Sequence, residues 1–399
     1  MKRVFTITVF ALAVFQFGSC IEEIAFENES FESALVIDAT ITNENKPQEI
    51  YLSRTYRFED GEPIYETNAN VSVTGNGVVY PFIETDEGTY VSEASFSAQP
   101  NVEYQLRITT KEGRVYNSSP TQLTQVTQID DLYAVRETND DDVNGMSIYV
   151  DSYDPSANAR FYRYEYEETF KVVAPEWKNI DLIVLEEDPF CLIGEVERPE
   201  EQITCYRTET SAAINLNSTA SLTEDRVQRH LARFIPSDDY RISHRYSILV
   251  KQYVQTEAAH TYLKTIRSFS DEGSLFSQVQ PGFVASNVLS ESNSEEKVLG
   301  FFEVSSVSEK RIYFNYVDFY PNSNLPPYVN ACSVRSPDRF TEHMMKTEVC
   351  GPLINIVKAR IMVYYAHNNN DFFPYQMVPR VCGDCTVLGD SEPPEFWEE

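Results

Sequence analysis

The sequence predicts a mainly β fold: an N-terminal immunoglobulin-like β-sandwich followed by a larger β-rich domain with one or a few helices. Three observations carry this expectation. Tyr and Phe number 25 and 24 against only 14 Gly, and aromatic and β-branched residues favour strands. Short β-prone runs recur between turn clusters over residues 30–125, the rhythm of a sandwich. Beyond residue 126 the runs lengthen and alternate with period two. With 399 residues and 42% apolar content, the chain is able to fill packed cores.

In the first region, residues 34–42 and 48–53 are β-prone and the cluster 43–47 turns between them. Residues 71–74 and 78–83 flank Gly75-Asn76-Gly77, a hairpin signal. Residues 89–91 and 104–108 continue the series, and Lys111-Glu112-Gly113-Arg114 turns before Val115 and Tyr116.

In the second region, residues 146–153 and 160–173 read as strands. Tyr162, Tyr164 and Tyr166 alternate with Arg163, Glu165 and Glu167, so the tyrosines share one face and the charges the other. Such a face either stacks on sugar rings or packs inside, and packing is the expectation. Residues 246–253 form a second strand of this kind. Ala259, Tyr262 or Leu263, Ile266 and Phe269 recur at helical spacing behind the capping residue Thr256, with Gly273 beyond the end. His260 inside that helix reads as a surface or packed histidine rather than a ligand. Residues 298–304, 311–320 and 356–365 read as further strands, and 321–339 as a long loop tied at Cys332.

The N-terminus reads as an address. Lys2 and Arg3 precede an apolar run over 4–17, broken only by Thr6, Thr8 and Gln16. The run is too short to span a bilayer but suits the core of a signal peptide. Phe17-Gly18-Ser19-Cys20 resembles the bacterial lipobox, in which the chain is cut before the Cys and that Cys is acylated. More than one acyl chain makes such an anchor durable. Glu22 and Glu23 look like the signal that sends lipoproteins to the outer face of the outer membrane. The expected organisation is a signal peptide over 1–19, an acidic linker over 20–29, the sandwich over 30–125 and the β-rich domain over 126–399.

Lys and Arg total 32 against 62 Asp and Glu, a net charge of −30. This argues against nucleic acid as a partner, because binding there requires cations to neutralise phosphates. It argues equally against a broad electrostatic hold on anionic lipid.

Besides Cys20 there are six cysteines, Cys191, Cys205, Cys332, Cys350, Cys382 and Cys385. An even number in an exported chain reads as disulfides. Fifteen connectivities are open, and near neighbours are the simplest expectation: Cys191 with Cys205, Cys332 with Cys350, and Cys382 with Cys385. The first two would close loops worth about 2–3 kcal/mol each. The rival is metal. Cys382-Gly383-Asp384-Cys385 has the spacing of half a zinc site, but there is no second such motif, and the five His are scattered.

Asp140, Asp142 and Asn144 place oxygens at alternate positions, with Gly145 at the sixth place and Asp151 at the twelfth, the spacing of a calcium loop. The flanks read as strand and the twelfth position is Asp rather than Glu, so a solvated acidic turn is the competing reading. No other cofactor is indicated. No nucleophile elbow, zincin, P-loop or dinucleotide motif is present, and the expectation is a protein that is not an enzyme.

Taken together, the lipobox ending at Cys20, the strand-rich region to Leu123, the helix over 256–270, the segments 273–276 and 281–287, and Val298-Leu299-Gly300-Phe301-Phe302 resemble the Bacteroidota lipoproteins grouped as domain of unknown function 4249. Its most specific marks are the tail residues 382–389 and Pro393-Pro394-Glu395-Phe396-Trp397. The resemblance implies a surface-exposed, lipid-anchored outer-membrane protein, often encoded beside a TonB-dependent transporter, and supplies no catalytic residues. The leading expectation is therefore an accessory or binding protein working with such a transporter. The alternatives are a structural subunit of an outer-membrane assembly machine and a surface glycan-binding or glycan-processing protein.

Overall fold

The computed structural model describes residues 33–56, 61, 63–187, 190–271, 286–340 and 350–399, and over these the chain is mainly β. The N-terminal region supplies β1 (Leu35–Thr42), β2 (Glu49–Arg54), β3 (Ile64–Tyr65), β4 (Asn70–Gly75), β5 (Val78–Asp86), β6 (Thr89–Ser92), β7 (Glu103–Thr109), β8 (Val115–Ser118) and β9 (Thr121–Gln122). Their apolar side chains alternate inward: Leu35, Ile37, Ala39 and Ile41 of β1 are buried with Val71, Val73, Leu106 and Ile108. The β4–β5 hairpin turns at Asn76 and Gly77, both at positive φ (51° and 77°), which is the conformation Asn-Gly favours in two-residue hairpins.

The chain continues through β10 (Ile129–Thr138), β11 (Asn144–Asp154), β12 (Phe161–Val173), β13 (Ile180–Glu186), β14 (Leu192–Glu197), β15 (Thr204–Thr210), β16 (Asn215–Ser218), β17 (Asp225–Pro236) and β18 (Arg245–Val254). Helix α1 (Glu257–Asp271) follows, then β19 (Val288–Ser290) and β20 (Val298–Asn315). The described chain ends through α2 (Tyr316–Phe319), α3 (Pro352–Ala359), β21 (Met362–His367), β22 (Tyr375–Pro379) and α4 (Arg380–Gly383). Among the described residues no helix is long and apolar enough to cross a membrane, which says nothing of strands.

The 18-residue β20 organises the molecule. Its first half pairs in parallel with β1, from Leu35 beside Val298 to Thr42 beside Ser305. Its second half pairs antiparallel with β18, which in turn pairs with β12. One sheet therefore runs from β15 through β12, β18, β20 and β1 into the N-terminal strands. Val298, Phe302 and Val304 complete the N-terminal core, so residues far along the chain belong to it. Gly300 lies within this junction at φ +102°, and a Cβ there would fall 1.8 Å from the carbonyl oxygen of Ile37; only glycine fits both the dihedral and the approach.

A second core forms where β10, β11 and β17 pack on the β12–β18 end of the large sheet. Met146, Ile148, Val150 and Ile235 meet Tyr162, Tyr164, Phe170, Tyr246 and Ile248 there. A smaller cluster joins β13 and β14 to α3, β21 and β22 through Leu182, Leu353, Tyr364 and Met377.

Two strand expectations need correction. Residues 356–365 are not one strand, because α3 occupies their first part. Pro352 stands at its first turn behind Gly351, Leu353, Ile354 and Val357 turn inward, and Arg360 at φ 50° ends it in the left-handed conformation. Strand propensity in Ile and Val yields here to burial of one helical face. Likewise, of residues 311–320, those from Tyr316 to Phe319 are helical, with a capping box between Asn315 and Asp318.

All six cysteines after Cys20 form disulfides, but not with near neighbours. The bonds are Cys191–Cys350, Cys205–Cys385 and Cys332–Cys382. Cys191 lies just before β14 and is tied to Cys350, just ahead of α3, whereas Cys205 belongs to β15 and the second core. Cys382 and Cys385 face different clusters, so neither expected short loop closes. The segment Cys382-Gly383-Asp384-Cys385 is a structural knot, with Asp384 accepting from Thr386 N and from Arg380 Nε (2.8 Å).

The tail is laid across the outer face of the large sheet. Trp397 meets Tyr206 edge-on at 5.0 Å, and the Arg311 guanidinium lies 3.6 Å from the centre of the Phe396 ring. Lys171 Nζ lies 2.9 Å from Glu399.

Candidate functional site

Alternation along three strands builds one wall of a cavity. On β1 the side chains of Val36, Asp38 and Thr40 point away from the N-terminal core, and parallel pairing sets them beside Leu299, Phe301 and Glu303 of β20. On β12 the buried tyrosines turn Arg163 and Glu165 to the same side. Helix α1 forms the opposite wall. Thr256 caps it, its Oγ1 accepting from Ala259 N at 3.2 Å, and the face carrying Ala259, Tyr262, Leu263 and Ile266 meets the strands. Tyr262 fixes the helix to the sheet: its hydroxyl accepts from Gly300 N at 2.6 Å and its ring lies 5.5 Å from Phe301.

The space enclosed is about 450 Å³, and a second cavity of about 390 Å³ adjoins it across Asp38, Thr40, Arg163 and Glu165. Volumes of this size suit small ligands. Arg163 is the centre of the partition. It donates to Glu165 through Nη1 and to Glu303 Oε1 through Nη2 at 2.9 Å, and its guanidinium stacks 4.2 Å from the Tyr253 ring centre. Burial opposes its charge, but Glu303 and Glu165 outweigh this and raise its pKa. Glu303 is fully engaged, since Oε1 also accepts from Thr40 (3.1 Å) and Oε2 from Gln255 (3.0 Å).

Asp38 differs. It is exposed to both cavities and no hydrogen bond or ion pair reaches its carboxylate among the described residues. Crowding by the walls raises its pKa; Arg163 works against this, and Glu303 and Glu165 add to it.

The residues singled out in the sequence fare differently. Cys20, Glu22 and Glu23, Gly273 and the segment 273–276 lie outside the described residues. Asp140 and Asp142 lie in the turn between β10 and β11, but Asp151 sits on β11 and accepts from Arg229 N at 2.6 Å. Asn144 accepts from the Tyr320 hydroxyl at 3.4 Å. Among the described residues no three His, Cys, Asp or Glu are placed to hold a metal ion. Tyr162 and Tyr164 are 0% and 1% exposed and Tyr166 is half-buried with the Arg233 guanidinium over its ring, so these tyrosines pack against the second core. His260 is buried against Phe161, 5.1 Å between ring centres. Sequence reasoning missed the cavity. Its signal was the other half of the same alternation, Arg163 and Glu165 on the face opposite the tyrosines.

A family model described as Domain of unknown function (DUF4249) matches residues 21–311. The chain belongs to this family. The match spans every residue lining the cavity of this DUF4249 protein, from Val36 to Glu303, whereas the Cys382–Cys385 knot and the tail lie beyond it. No curated protein matches the chain.

Proposed function

We propose that this protein is a lipid-anchored binding or accessory protein of the bacterial outer membrane, held by acylated Cys20, exposed at the cell surface, and working beside a TonB-dependent transporter. The observation that carries the binding role is the cavity between α1 and the β1–β20–β12 wall, mostly apolar with the charged side chains Asp38, Arg163, Glu165 and Glu303 grouped in it. Three disulfides joining distant segments support an oxidising compartment, in keeping with the leader before Cys20. Tethering by lipid confines the protein to the membrane plane and raises its effective concentration near a membrane partner.

The test is twofold. Wild-type protein should take up labelled palmitate and fractionate with the outer membrane, whereas Cys20→Ser should do neither. Affinity capture from detergent-solubilised outer membranes should recover a transporter. Capture that repeatedly yields this chain alone removes the transporter partnership, and an unchanged fractionation of Cys20→Ser removes the anchor.

A further inference from the structure

We propose that the cavity beneath α1 takes a small molecule with one positive charge at the end of an apolar body, an aliphatic ammonium with a ring or short chain behind it, and that Asp38 is its counter-ion. This rests on the cavity being the ligand site and adds the class of ligand.

The wall is graded. Val36 stands beside Leu299, Asp38 beside Phe301, and Thr40 beside Glu303, so apolar surface gives way to carboxylate within three rungs. Leu263 and Tyr262 of α1 extend the apolar end. Charge is unbalanced, since Asp38, Glu165 and Glu303 line the cavity against the single cation Arg163. That cation is out of a ligand's reach: both terminal nitrogens are held by Glu165 and Glu303, a face is covered by Tyr253, and its Nε, though unpartnered, is buried and has no accessible surface. An anionic ligand therefore meets no available positive charge. A neutral apolar ligand would strip water from Asp38 and leave that carboxylate unpaired, which is costly in a confined site. An ammonium removes the penalty, because it replaces the lost water with a charge-assisted hydrogen bond.

The test uses the detergent-extracted full chain and calorimetric titration with phenylbutylamine, phenylbutanol and phenylbutyrate, which share one body and differ in head-group charge. The amine is expected to bind about tenfold or more tightly than the alcohol, and the acid weakest. Asp38→Asn should bring the amine to within about threefold of the alcohol, and it should tighten alcohol binding because no carboxylate is then stripped of water, with its circular dichroism and melting temperature certifying the fold. Leu263→Gln should weaken amine and alcohol alike. An amine no tighter than the alcohol, or amine binding indifferent to Asp38→Asn, overturns the ligand class; if the alcohol still binds, the cavity remains a binding site. Binding by none of the three overturns both.

Discussion

The imidazole of His230 lies on the ring of Tyr164 with 4.3 Å between centres. Asn217 Nδ2 is 2.8 Å from its Nδ1, and Asn215 Oδ1 is 2.9 Å from its Nε2. With these amide orientations Nδ1 accepts and Nε2 donates, so the neutral ring is the one that fits. Burial pushes its pKa down from 6.5 to about 4. Between those values the unfolded chain binds a proton that the folded one refuses. The contribution is fully present above pH 6.5 and is lost as the pH falls toward 4. Thermal melts should show the wild type losing about 2 °C or more relative to His230→Gln over that window. Parallel curves for the two proteins would place the ring elsewhere.

Asp38 gives the opposite sign. Its folded pKa is raised above 3.8, so ionisation opposes folding once the pH exceeds that value. Asp38→Asn should therefore melt higher than wild type at pH 7, by about 2 °C at most given its exposure to solvent. The difference should vanish below pH 3.8, where both states are protonated. A lower melting temperature at pH 7 would mean that the carboxylate has a stabilising partner.

Gly300→Ala should destabilise by about 3 kcal/mol or more. The new methyl group meets the Ile37 carbonyl inside the β1–β20 pair, and φ is positive. Denaturant unfolding measures this, and a loss under about 1 kcal/mol would show that the two strands part easily.

Proteolysis of non-reduced protein should yield linked peptides joining Cys191 to Cys350, Cys205 to Cys385 and Cys332 to Cys382. Replacing Cys205 and Cys385 together by Ser should cost about 2–5 kcal/mol. It should also free the tail, read as increased cleavage near Trp397. A Cys382–Cys385 peptide would refute the knot.

Much of the fold is legible in the sequence because strand alternation is local. Tyr162, Tyr164 and Tyr166 announce β12, and Asn76-Gly77 announces its hairpin, since the cause of each lies within a few residues. The helix over 257–271 is legible for the same reason. The cavity is not, because it depends on Asp38 standing beside Phe301 and Thr40 beside Glu303, a pairing of strands that no local pattern encodes. Disulfide partners separated by 159 and 180 positions are hidden likewise. Residues 356–365 failed for another reason: Ile, Val and Met serve a short amphipathic helix and a strand equally well.

The parallel seating of β1 against β20 has a consequence for biogenesis. A chain emerging from its N-terminus cannot complete its first core until Val298, Phe302 and Val304 have also been made. The early strands wait unclosed for partners supplied late in synthesis, so the N-terminal core forms by long-range pairing and not as an early local unit.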